Sequence, residues 1–192
     1  MSAATPATLR TDRHCLIVLE RVLRAAAPEE GCALLLGQRR DSLLLLERIW
    51  PCCNNWQPAA ERLRRFRLDP REQLLAQRWA RSRQQLVLGA AHSHPGSAAI
   101  PSATDLSLCC GPTLMVIRSG RHDSQTTSQN DVTGPPGPDA ALTLPLRAWW
   151  IAEGAGWAVA ARPEAGSHHP PHTAQELAIE LTPQARAGHL GE

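Results

Sequence analysis

The chain has 192 residues, 43% hydrophobic and 20% charged, with a formal net charge of +2 at pH 7. That composition fits one ordinary globular domain with enough apolar material for a core. The basic residues are scattered rather than gathered on one face, which argues against a nucleic-acid partner, and no run approaches the ~18 apolar residues of a membrane span.

All 20 basic residues are Arg, so no lysine amine is available for Schiff-base chemistry. The six cysteines include no C-x-x-C pair and form neither a disulfide framework nor a thiol zinc site. Residues 1–12 lack the apolar run of a signal peptide. The expectation is a cytoplasmic protein with reduced thiols.

In chain order, residues 1–12 are small and polar and read as a disordered tail. Over residues 14–27, Leu16, Leu19, Val22 and Leu23 recur at helical spacing, ending before Pro28. Residues 32–36 and 42–46 read as buried strands joined by a hairpin over 37–41. Residues 51–67 are irregular, broken by Asn54-Asn55 and Pro58, and either asparagine could line a cleft. Asp69 and Pro70 supply an N-cap and a first-turn proline for a helix to about Arg83, with Leu74, Leu75 and Trp79 on one side.

Residues 86–91 form a short apolar strand running into His92-Ser93-His94-Pro95. A helix opens at Pro101-Ser102, and residues 113–117 are a further strand. A long polar loop over 119–139 precedes strands at 146–151 and 157–161, where Trp149 and Trp150 point to opposite faces. Residues 163–192 are a Pro/His-rich tail with a loose helix at 173–181. Interleaved helices and strands give an α/β (α+β) class around a mixed sheet.

The chemistry gathers at one constellation. His92 and His94 stand at i and i+2 of a strand end, so their imidazoles share a face, and Pro95 stops the strand. Ser102 then opens a helix with Asp105 three residues on, on the same helical face. Two imidazoles and one carboxylate suit Zn²⁺ and leave a fourth position for water, as catalytic zinc requires. Zinc in such a site can bring its water to a pKa of about 7.

Taken alone, residues 102–105 are a capping box, and two histidines beside a proline are a turn. The combined pattern H-x-H-P-x₆-S-x-x-D arises by chance on the order of 10⁻⁵ to 10⁻⁴ per protein, and so outweighs its parts. His168, His169 and His172 read as a solvated tail, and Cys109-Cys110 as buried packing residues.

This run resembles the JAMM motif of the JAMM/MPN metalloprotease family. There the two histidines and the aspartate bind zinc, the serine stabilises the tetrahedral intermediate, and an upstream glutamate in an E-x-x-G-x-x-x-G context is the general acid/base. Counting back from Gly37 puts Glu30 at that glutamate and Ala33 at the usual glycine, with Glu29 as the other candidate. Residues 66–70, 101–106 and 146–149 are also similar to segments of the small single-domain bacterial members.

The resemblance therefore covers a domain over 13–162. It implies a cytidine-deaminase-like mixed sheet flanked by helices, with one zinc per chain on His92, His94 and Asp105, and Glu30 and Ser102 as catalytic residues. It further implies a peptidase or isopeptidase acting after the C-terminal Gly-Gly of a ubiquitin-like or sulfur-carrier (ThiS- or MoaD-like) protein. The tail of that substrate would add as a strand to a sheet edge. A non-catalytic MPN scaffold is the first alternative, although such members lose ligands that this chain keeps. The DNA-repair-associated branch is the second, although no helix-hairpin-helix segment precedes the motif here.

Overall fold

The computed structural model describes residues 4–120, 145–153 and 172–182. Along the chain run β1 (Thr8–Thr11), α1 (Arg13–Ala25), β2 (Cys32–Arg40), β3 (Leu43–Cys52), a 3₁₀ turn (Ala59–Leu63), α2 (Pro70–Arg81), β4 (Leu86–His94), α3 (Ala103–Ser107), β5 (Thr113–Ser119), β6 (Leu146–Glu153) and β7 (His172–Leu181). The strands close into a barrel in the order β1-β3-β2-β4-β5-β6-β7. β4 pairs antiparallel with β2 and parallel with β5, so the sheet is mixed, as the sequence predicts. β1 closes the barrel by running parallel to both β3 and β7.

Closure follows from the apolar stripe of α1. Asp12 caps this helix by accepting from the Cys15 amide at 2.6 Å, and Leu16, Leu19 and Leu23 then point one way. Every strand supplies a side chain to meet them: Leu9, Leu35, Leu44, Leu88, Leu114, Trp150 and Leu177. Each aliphatic side chain fully removed from water here contributes ~1.5–3 kcal/mol.

The outer face carries two smaller clusters. One lies beneath α2, around Leu34, Leu36, Ala76 and Ala80; the other lies beside α3, around Met115, Ile117, Trp149 and Ile151. Both tryptophans of the Trp149-Trp150 pair are thus core residues, one on each face.

The helix at α2 buries a different side from the expected one. Leu74 and Leu75 are 56% and 55% exposed, while Ala76 and Ala80 are fully buried. Two alanines let the helix lie close on the sheet, and Trp79 fills the flank edge-on to Trp50 at 5.9 Å between ring centroids.

The first hairpin is also tighter than expected. β2 continues through Arg40, and only Asp41 and Ser42 turn the chain, with Asp41 in the left-handed region at φ 51°. Gly37 makes this possible at a bulge, because a Cβ there would lie 1.8 Å from the Leu45 carbonyl oxygen.

Two terminal expectations are corrected. Residues 8–11, read as part of a disordered tail, form β1, with Leu9 and Thr11 buried. Four residues are too short to carry a periodic signal. Residues 173–181, read as a loose helix inside a terminal tail, belong to strand β7, paired with β6 and β1. Leu177 and Leu181 mimic helical spacing, but two strand neighbours override that local pattern. The domain core therefore reaches beyond the expected 13–162 at both ends. The strand expected at 157–161 and nearly all of the 119–139 loop lie outside the described residues.

Because β7 completes the barrel, a chain ending at residue 171 should lose cooperative unfolding by circular dichroism. A chain ending at residue 182 should melt within a few degrees of the full chain. Equal melting of both would show that β7 is dispensable.

Candidate metal centre

His92 and His94 leave β4 on its outer face, while Ser93 between them faces inward. The Ser93 amide donates to the Gly31 carbonyl at 3.0 Å, and its hydroxyl accepts from the Gly31 amide at 2.8 Å. This double stitch fixes the start of β2, and with it Glu30, beside the two imidazoles. Gly31 must lack a side chain, since a Cβ would sit 2.6 Å from the Leu23 carbonyl oxygen of α1.

Asp105 arrives from α3. Its amide donates to Ser102 Oγ at 3.1 Å, while its Oδ2 accepts from the Ser102 amide and hydroxyl, each at 2.7 Å. The capping box is therefore real, and it is also what aims the carboxylate. From β7, His172 Nδ1 bonds the Leu106 carbonyl at 3.0 Å and braces the same helix. His172 is thus a buried structural residue rather than part of a solvated tail. His168 and His169 lie outside the described residues.

His92 Nε2 and His94 Nε2 are 3.0 Å apart, and each stands 3.4 Å from one oxygen of Asp105. Tetrahedral zinc with bonds of ~2.0–2.1 Å spaces its ligands ~3.3 Å apart, so the three side chains fit that ion. His94 Nδ1 lies 2.9 Å from the Ala98 carbonyl. A carbonyl can only accept, so Nδ1 carries the proton and Nε2 is left to bind. Ala98 and Ala99 are held in turn by Trp149, whose indole donates to the Ala99 carbonyl at 3.0 Å.

Burial lowers the pKa of His92 and favours its neutral form, against the pull of Asp105. His94 is raised: burial opposes its charge, but the bonds to Asp105 and the Ala98 carbonyl outweigh it. Asp105 is also buried, yet hydrogen bonds from His92 and His94 hold its carboxyl well below the usual range.

Glu30 is 4% exposed, and burial pushes its carboxyl up to about 7, with His94 opposing and Asp105 adding. Glu29 instead faces Arg62, 3.8 Å away, and is more exposed. Of the two candidate glutamates, Glu30 is the one whose carboxyl senses the centre.

Two further contributors are given no role in the sequence reading. Phe66 stacks on the His92 ring at 4.4 Å between centroids. Asn54 is the second. Its Nδ2 donates to the Glu30 and Arg65 carbonyls at 3.0 and 2.9 Å, and its Oδ1 accepts from the Trp56 and Arg67 amides at 3.0 and 3.2 Å. It ties the general-base candidate to the loop that carries Phe66. Neither residue belongs to a periodic segment; the signals are the family similarity of residues 66–70 and the polar pair Asn54-Asn55 among breakers.

Cys109 is half-buried, with its Sγ 3.2 Å from the Asp105 carbonyl, and burial pushes its thiol up to about 11. Cys110 is exposed rather than packed.

A groove of about 530 Å³ opens from His92 and Asp105 across the outer face of β4 and β5. Among the described residues β4 and β5 are each paired on both sides along the groove, so neither offers a free edge there for the expected strand addition.

The family model described as prokaryotic homologs of the JAB domain matches residues 13–131. The chain belongs to this Prok-JAB family. The matched stretch contains Glu30, His92, His94, Ser102 and Asp105.

Among solved structures, the JAB chain is similar to the solution structure of protein DSY2949 from Desulfitobacterium hafniense. Identity is 24% over 96% of this chain and 100% of that one, with a TM-score of 0.63. It is also similar, at 15% identity over 91% and 98% of the two chains and a TM-score of 0.43, to AF2198, a JAB1/MPN domain protein from Archaeoglobus fulgidus. No curated protein matches the chain.

In metal-free protein the folded pKa of Glu30 lies above its ordinary 4.5. Its contribution to stability is therefore present at low pH and lost as pH rises through about 7. Metal-free Glu30→Gln should melt several degrees above the parent at pH 8 and nearly level with it at pH 4.5; an equal shift at both would contradict burial of this carboxyl. Ser102→Ala should cost ~1 kcal/mol by chemical denaturation. It should also weaken zinc binding ~10–100-fold in a chelator competition, while Ser102→Thr keeps most of both. Unchanged zinc affinity in Ser102→Ala would show that the hydroxyl does not aim Asp105.

Proposed function

We propose that this JAB-family chain is a zinc-dependent peptidase or isopeptidase that cuts after the Gly-Gly terminus of a ubiquitin-like or sulfur-carrier protein. The observation that carries the reading is one juxtaposition. Two imidazole nitrogens 3.0 Å apart face a buried carboxylate, and Glu30, with a pKa of about 7, stands beside them.

Zinc held by His92, His94 and Asp105 would supply Lewis acidity and an acidified water. Glu30 is poised to take a proton from the attacking water and pass it to the leaving amine, since a base tuned near the working pH does both. Ser102 at rest donates its hydroxyl to Asp105. Released from that bond, the same hydroxyl can donate to the developing oxyanion.

Phe66 covers one face of His92 and narrows the approach. Glycines pass such a narrowing without steric conflict, whereas a β-branched residue would crowd the centre. The Gly-Gly preference rests on that argument and on the family resemblance.

The test combines metal content with cleavage. Purified protein should hold close to one zinc per chain by elemental analysis, and His92→Ala and Asp105→Ala should lose it. Glu30→Gln should keep zinc and lose at least a thousandfold in the rate of cutting a carrier–peptide fusion, followed by mass spectrometry. A Gly-Val fusion and unfolded casein should stay intact. Equal cutting of Gly-Val and Gly-Gly would leave a general zinc peptidase. Zinc-loaded protein that binds partners and cuts nothing would favour a scaffold.

A further inference from the structure

The groove that opens from the centre is unequal in charge. Its walls include Arg64, Arg65 and Arg67, all exposed, and among the described residues its only lining carboxylate is Asp105. Arg65 is partly neutralised by Glu61 at 3.3 Å. Among the described residues no carboxylate pairs with Arg64 or Arg67. The guanidiniums of Arg65 and Arg67 sit 5.2 and 5.1 Å from the Trp56 ring centroid. That ring is itself pinned, its indole donating to Glu61 at 3.2 Å and its amide to Asn54 at 3.0 Å. The cationic wall is therefore pre-organised by packing and by the Asn54 brace, rather than formed by loose surface arginines.

The floor has the opposite character, with Leu34, Val87 and Ala90 among its lining residues, and Gln73 and Gln77 of α2 on the far wall. From Val87 to His92 the groove follows β4 for five residue steps, ~16 Å at ~3.3 Å per residue. That length suits an extended peptide of about five residues.

Deepening the proposed peptidase activity, we infer that this groove selects an extended segment of the substrate protein bearing acidic side chains, which Arg64, Arg65 and Arg67 engage next to the scissile bond. A single-stranded nucleic acid would also meet arginines and aromatics here. Base stacking needs open rings, however. The Trp56 ring is already covered by two guanidiniums, and Phe66 is stacked on His92. Carboxylates, which arginine receives through paired N–H donors, are the ligand this wall fits.

The experiment uses zinc-loaded Glu30→Gln protein and two fluorescein-labelled ten-residue peptides ending in Gly-Gly. One carries two glutamates within the preceding five residues; the other carries glutamines at those positions. Anisotropy should show the acidic peptide binding at least tenfold tighter, with the advantage fading between 50 and 300 mM salt (roughly a halving of the screening length). Arg64→Ser with Arg67→Ser should abolish the advantage. Arg67→Glu should shift preference toward a lysine-bearing peptide, which guards against simple misfolding.

In active protein the double serine variant should raise KM for an acidic carrier fusion roughly tenfold, with kcat little changed. Equal binding of the two peptides, or tighter binding of an oligothymidylate, would overturn the inference. Arginine-dependent peptide binding without any cleavage would leave the inference standing and count against the peptidase reading. Cleavage with a KM indifferent to the arginines would do the reverse.

Discussion

Asp105 presents a negative charge on a side chain only 9% exposed, where water can solvate it poorly. An isolated carboxylate in that position would cost several kcal/mol or take up a proton. It stays ionised because the Ser102 amide, the Ser102 hydroxyl and two imidazoles converge on its oxygens. Those donors come from a five-residue helix and from the end of a strand, two elements that have no reason to meet unless the barrel brings them together. The position of α3 is thus an electrostatic requirement as much as a packing one, and Trp149, Ala99 and His172 serve to hold it there.

The alternation of β4 divides this work between two faces. Ala91 and Ser93 look inward, to the α1 core and to Gly31, while His92 and His94 look outward. One strand therefore transmits the rigidity of the most buried part of the protein directly to the imidazoles. Asn54 does the corresponding job on the other side, where no regular element is available, by filling both ends of its amide with backbone partners from three segments. A neutral side chain suits that role, since it must donate and accept at once.

The centre was legible in the sequence because its residues sit at spacings with a fixed geometric meaning. The i and i+2 pair at His92 and His94 and the i and i+3 pair at Ser102 and Asp105 each define a face, and the capping box and the candidate ligand set are one arrangement. Glu30 was legible through its distance from Gly37, whose lack of a side chain the β2 bulge requires.

What stayed hidden depends on tertiary partners. β1 and β7 exist because each has the other beside it. α2 turns its alanines inward because the sheet, not its leucines, sets the distance. Phe66 and Asn54 act through a loop without periodicity, and the paired edges of β4 could not be known before the strand order was.

The pairing of β1 with β7 also sets the order in which a nascent chain can mature. β1 leaves the ribosome long before its neighbour β7; the Arg10–Glu180 ion pair that borders the seam spans 170 residues. At ~5–20 residues per second, translation imposes a wait of roughly 10–30 s before that neighbour is made. During that interval α1 and the hairpin of β2 and β3 can collapse locally, but Leu9 has only half its shelter. Contacts so distant in sequence are also the slowest to form. Such a fold is vulnerable in synthesis at the seam of β1 and β7 rather than around His92, His94 and Asp105, and that seam is where a chaperone would have most to protect.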